Sequence, residues 1–102
     1  LIIRGVNVYP SQIEAVLVGR PGIAPHYQLV VERAGHLDAV TIEVEAAPGV
    51  PSDGYAAIAG DVRHHVKSLV GITTTVRVLQ PGEVPRSQGK AVRVRDLRPK
   101  GA

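Results

Sequence analysis

The chain contains no cysteine, no methionine, no tryptophan and no phenylalanine. Without cysteine, disulfides, thiolate metal sites and cysteine nucleophiles are excluded. Tyr9, Tyr27 and Tyr55 are the only aromatic residues, so the core must be aliphatic. Long apolar runs are also missing: none approaches the roughly 20 residues of a membrane span. The opening LIIRGVNV carries Arg4 where a signal peptide stays apolar. There is no initiator methionine, and Leu1 reads as a cut made in a longer chain. What is present, in 102 residues, is 44% hydrophobic and 21% charged, the balance of one soluble globular domain with a real core.

The net charge of +3 is unevenly spread. Arg86, Lys90, Arg93, Arg95, Arg98 and Lys100 crowd the last segment against Asp96 alone, while the rest is slightly acidic. A basic end on a near-neutral body suits either nucleic acid or an anion site for one phosphate-bearing ligand.

Hydrophobic spacing divides the chain into six elements. Ile2 to Val8 reads as a strand or one arm of a hairpin. Gly5 inside it marks a bulge or a place where something approaches the backbone closely. PSQIEAVLVGRPG predicts a helix, with Ser11 and Glu14 as a capping box, Ile13, Val16 and Leu17 as its apolar face, and Gly19 and Pro21 as its end. HYQLVVER is a strand, AGHLD a turn, and AVTIEVEAA a second strand whose strict alternation puts Val40, Ile42 and Val44 inside. Its Thr41, Glu43 and Glu45 are expected on a wet face. After PGVPSDG a longer helix runs to about Val70, burying Tyr55, Ile58, Ala59, Val62, Val66 and Leu69, with Gly71 as C-cap glycine. TTTVRVL is a further strand, and a loop from Pro81 leads to a short extended segment, Ala91 to Val94. The order β-α-β-β-α-β predicts an α+β, ferredoxin-like fold, with two helices on one face of an antiparallel sheet plus a C-terminal loop and short strand.

Few residues suggest chemistry. Adjacent His64 and His65 point in different directions on a helix and cannot share a metal ion, and His26 and His36 are isolated, so no metal site is expected. Ferredoxin-like sheets that bind RNA stack bases on surface aromatics, and here only Tyr27 is placed to stack, so no nucleic-acid partner is expected. Lys90 stands out in QPGEVPRSQGKAVRV, a loop stiffened by Pro85 and freed by Gly89. A lysine is a compact charge on a flexible stem, suited to following charge as it moves among oxyanions.

Two stretches together resemble the C-terminal domain of the adenylate-forming acyl-CoA ligases, specifically the phenylacetate-CoA ligase family. LIIRGVNVYPSQIEAVL is similar to the family's eighth core motif: an Arg-Gly hairpin, a proline, then a helix opening with Ile-Glu. PRSQGKAVRV is similar to the tenth, with its Gly-Lys, and APHYQLVV at Ala24 to Val31 has the phenylacetate-ligase character. Gln88 stands where the family commonly has an acidic residue, and Val92 where it often has a basic one.

The resemblance implies a single C-terminal lid domain over residues 1–102, with the nucleotide-binding N-terminal domain of the same cytoplasmic enzyme as its partner. It implies ATP, magnesium and CoA in the intact enzyme, an aryl acid as substrate, and none of these bound tightly by this chain alone. By position, Lys90 would be the catalytic adenylation lysine. Gly5, with Arg4 and Val6 beside it, would face the pantetheine arm of CoA. Arg86 and Gly89 would lie near CoA or nucleotide, with Arg93 a further candidate. The alternative is a free-standing ferredoxin-like regulatory or ligand-binding domain in which Lys90 is a solvated tail residue; the upstream sequence separates the two.

Overall fold

The computed structural model describes residues 2–84 and 94–98. Ile2–Ile3 (β1) and Val6–Asn7 (β2) form a tight antiparallel ribbon of their own, followed by helix α1, Pro10–Leu17. Ile23–Ala34 (β3) and Leu37–Ala46 (β4) form a long hairpin, and a 3-10 turn, Ser52–Gly54, leads into α2, Tyr55–Leu69. Thr75–Leu79 (β5) and Val94–Asp96 (β6) complete the sheet, in the order β5-β4-β3-β6.

The α+β class and its six-part body are as expected. Two details differ. The segment before α1 is both arms of a separate hairpin and stays out of the main sheet. The central β3–β4 pairing is antiparallel, but β5 and β6 flank it in parallel, to β4 and β3 respectively. The crossover through α2 produces the β5 pairing, since a strand–helix–strand unit returns its second strand parallel to the first.

Alternation on β3 and β4 builds the core. Tyr27, Leu29 and Val31 pair with Val44, Ile42 and Val40, all buried, in one cluster with Ile13, Val16 and Leu17 of α1 and Val62 and Val66 of α2. Burying each of these aliphatic side chains contributes about 1.5–3 kcal/mol.

Local expectations were revised in four places. β3 begins three residues ahead of His26, with a register irregularity between Ile23 and Tyr27 that accommodates Pro25, which has no N–H for the ladder. Helix α1 is not capped by Ser11 and Glu14. Pro10 occupies its first turn, making Tyr9 the N-cap; Gln12 N–H donates to the Tyr9 carbonyl (2.9 Å) and Tyr9 N–H to Gln12 Oε1 (2.9 Å). Leu69 is 70% exposed, and Val70 and Ile72, just past the helix, pack on the core instead. Gly71, by contrast, has the left-handed φ of 90° that its place after the helix demands.

The fourth revision is chemical. Glu43 is half-buried and pairs with Arg77 (2.9 Å), but Glu45, expected on the wet face, is only 2% exposed. The face opposite the helices is covered at that end by the chain leaving β5.

Candidate active-site hairpin and loop anchors

Arg4 and Gly5 make the two-residue connection between β1 and β2, with φ of 49° and 78°. Two consecutive left-handed residues define a type I′ turn, the turn whose twist matches paired strands. Gly5 is therefore a turn glycine and no strand bulge. A β-carbon at Gly5 would meet no atom within 4 Å beyond its chain neighbours, so the tip offers bare backbone to whatever approaches it. Arg4, Gly5, Val6 and Asn7 are exposed, while Ile3 and Val8 are buried and root the ribbon in the core.

Charge holds the hairpin in place. Asp38, at the start of β4, accepts from Arg4 N–H at Oδ2 (3.1 Å) and from Arg33 Nε at Oδ1 (3.2 Å), and its backbone carbonyl takes Arg4 Nε (2.8 Å). Arg98 reaches in from the end of β6. One guanidinium nitrogen donates to the Ile2 carbonyl (2.7 Å) and lies 3.2 Å from Asp38 Oδ2, while Nε and the other nitrogen grip Asp96 (3.0 and 2.9 Å). Such a fork is what a planar guanidinium does and an ammonium does not. The Arg4 amide, followed by the arginines, holds the Asp38 carboxyl below its ordinary range. The bidentate contact from Arg98 lowers Asp96 to about 2 and raises Arg98 in return.

The opposite end of β4 holds the start of the lysine loop. After β5, Gln80-Pro81-Gly82-Glu83 makes a turn closed by Glu83 N–H to the Gln80 carbonyl (3.1 Å), with Gly82 at φ 88°. Proline then a left-handed glycine is the signature of a type II turn. The Glu45 carboxylate accepts Gly82 N–H at Oε1 (2.9 Å) and Val84 N–H at Oε2 (3.1 Å), and Val84 itself is buried. Lys90, Arg86, Gly89 and Arg93 lie outside the described residues, as do Gln88 and Val92. The chain is picked up again where Val94 pairs with Leu29.

Of the expected site residues, the structure thus places Arg4, Gly5 and Val6 together on one hairpin tip. Sequence reasoning passed over Asp38, Arg98 and Glu45. Asp38 was read only as part of the AGHLD turn and Arg98 as one of the basic end's charges; Glu45 was assigned by alternation alone. Among the described residues no group of three or more histidine, cysteine or carboxylate side chains could hold a metal ion. No helix among them is long and apolar enough to cross a membrane.

The family model of the AMP-binding enzyme C-terminal domain matches residues 5–98, from the hairpin glycine to the arginine that clamps the hairpin. The chain belongs to this family. Its relatives include phenylacetate-coenzyme A ligases from Escherichia coli strain K12, 46% identical over 96% of this chain, and from Aromatoleum evansii, 40% identical over 98%. The chain spans about a quarter of the length of these relatives, 23% and 24%. Among solved structures, a domain of phenylacetate-coenzyme A ligase from Bacteroides vulgatus ATCC 8482 superposes with a TM-score of 0.88 at 30% identity, covering 98% of this chain and 93% of that one. A 2-hydroxyisobutyryl-CoA ligase, in complex with 2-HIB-AMP and CoA in the thioesterification state, superposes with a TM-score of 0.87 at 29% identity, covering 96% of this chain and 21% of that one. The family match takes in β2 and β6 but begins after β1, whose Ile2 carbonyl is the hairpin contact of Arg98.

Proposed function

We propose that this domain is the mobile C-terminal part of an ATP-dependent aryl-acid CoA ligase, phenylacetate being the acid its relatives suggest. Its partner is an adenylation domain of the same cytoplasmic polypeptide, which holds ATP, the acid and magnesium. The described residues offer no cluster for a metal, and magnesium would be held by the adenylation domain.

The observation that carries the reading is the separation of two elements. The hairpin tip docks beside Asp38 and the lysine loop starts beside Glu45, at opposite ends of β4. At about 3.3 Å per residue the intervening strand spans roughly 23 Å. One end can face the nucleotide while the other faces away, and a rotation of the domain exchanges them.

In the first half-reaction a carboxylate oxygen of the acid attacks the α-phosphorus of ATP and pyrophosphate leaves. Lys90 supplies an ammonium to the crowded oxygens as negative charge builds up on them, stabilisation aimed at the transition state rather than the ground state. In the second, the CoA thiol attacks the acyl carbon and AMP leaves. Gly5 contributes there by what it lacks: the open space at its α-carbon lets the pantetheine arm run along the backbone of the turn. Arg4 and Val6 flank that path, and Arg86 and Gly89 are assigned to nucleotide or CoA through the loop they share with Lys90.

Replacing Lys90 with Ala in the full-length enzyme tests the assignment. Acid-dependent exchange of pyrophosphate into ATP should fall by about a hundredfold or more, the usual cost of removing one transition-state donor. Thioester formation from pre-made acyl-adenylate should stay within a few-fold of the unsubstituted enzyme. Equal loss in both half-reactions rejects the role.

A further inference from the structure

Glu45 belongs to none of the chemistry above, yet it is among the most completely buried large side chains of the domain. It lies in β4 level with Leu79, the last residue of β5, where the chain leaves the sheet. Its two carboxylate oxygens are not spent on one partner. Oε1 takes the Gly82 amide inside the type II turn, and Oε2 takes the Val84 amide just after it. The turn is further closed on itself, with Gln80 N–H on Glu83 Oε1 at 2.7 Å. A buried carboxylate accepting two backbone N–H groups is charge-assisted on both bonds and fixes direction as well as distance.

We infer that Glu45 is a positioning residue for the adenylation half-reaction, which rests on the reading of Lys90 above. The carboxylate fixes the backbone at Gly82 and Val84, on the chain that leads from β5 toward Lys90. Reaction rates fall steeply with misplacement of a catalytic group, and this anchor stands six residues ahead of Lys90 in the chain. The hairpin that serves the thioester step hangs on Asp38 and Arg98 at the other end of β4, and does not depend on Glu45.

The test uses the full-length enzyme with Glu45→Gln, which keeps the side chain's volume but turns an amide NH2 toward one of two N–H donors. Pyrophosphate exchange should drop about tenfold to a hundredfold, while CoA transfer to synthetic phenylacetyl-adenylate changes less than about twofold, within the scatter expected of an independent site. Lys90→Ala is run beside it. Loss of exchange in Lys90→Ala with normal exchange in Glu45→Gln overturns the inference alone. Equal loss of both half-reactions in Glu45→Gln overturns it too, since that is what a purely structural carboxylate would produce. Full exchange in Lys90→Ala overturns the reading of the lysine and the inference with it. Glu45→Ala, which removes both acceptors, should deepen the same split; should it not fold, the Gln variant decides.

Discussion

Gly5 shows how much a single residue's backbone can say. Its φ of 78° follows an Arg4 that is itself left-handed at 49°, so the turn alone demands a residue free of β-carbon strain. Open space above the glycine separately permits a ligand to pass. The two reasons can be told apart. Asn tolerates the left-handed region, so Gly5→Asn should cost under about 1 kcal/mol in urea melts, whereas Gly5→Val should cost about 1–2 kcal/mol or more. If the tip lines the CoA path, Gly5→Asn should still slow thioester formation about tenfold or more and spare pyrophosphate exchange, as one misplaced group in a reacting geometry does. A thioester step at full rate in Gly5→Asn would leave only the turn to explain the glycine. Glu45 is the counter-example, a residue whose alternation pointed one way and whose surroundings put it elsewhere. Period two assigns a face; it cannot say that a later turn will cover that face.

At the scale of elements, two devices set local stability. The Tyr9–Gln12 exchange closes the start of α1, and Gln12→Ala should destabilise the domain by about 0.5–1.5 kcal/mol by leaving the Tyr9 amide without its acceptor. The Arg98 clamp sets the pH behaviour of the hairpin. Asp96 is depressed from 3.8 to about 2 by Arg98. A depressed carboxylate stabilises the fold at pH above its unfolded value and loses that contribution as pH falls through its folded value. The hairpin clamp should therefore be intact above about pH 4 and fail between about pH 4 and pH 2. Asp96 is partly solvated, so the effect on global stability is small. Amide exchange at Arg4 and Gly5 reports it locally: the rise in opening on acidification should be shallower in Asp96→Asn than in the parent protein. Parallel curves would show that the clamp is not what titrates. The elements themselves were largely legible beforehand. α2 was marked by its repeat and by Gly71, and β4 by alternation, whereas the α1 cap expected at Ser11 and Glu14 lies instead at Tyr9, because Pro10 occupies the first turn.

For the whole molecule, one core joins both helices to the sheet, and the β1–β2 hairpin and the turn after β5 are anchored at opposite ends of β4. A chain with such a core should fold by itself, so the 102-residue polypeptide should melt cooperatively. It should nonetheless show no ligase turnover with phenylacetate, ATP and CoA, because a lysine without the groups that hold its nucleotide has nothing to stabilise. Turnover by the purified chain would contradict the division of labour proposed here.

The amino-acid order by itself determined the α+β alternation, the inward face of β4 and that of α2 short of Leu69, the punctuation at Gly71 and Pro81, and the two motifs that carry the family resemblance. These are properties of neighbours within a few residues, where spacing and backbone freedom decide. Only the tertiary structure decided that the first segment would form a ribbon of its own, that the outer strands would run parallel to the central hairpin, and that Asp38, Arg98 and Glu45 would each hold a distant part of the chain. Those outcomes depend on which surfaces meet after collapse. A charged side chain is assigned to water or to a partner by what packs over it, and that is settled by residues dozens of positions away.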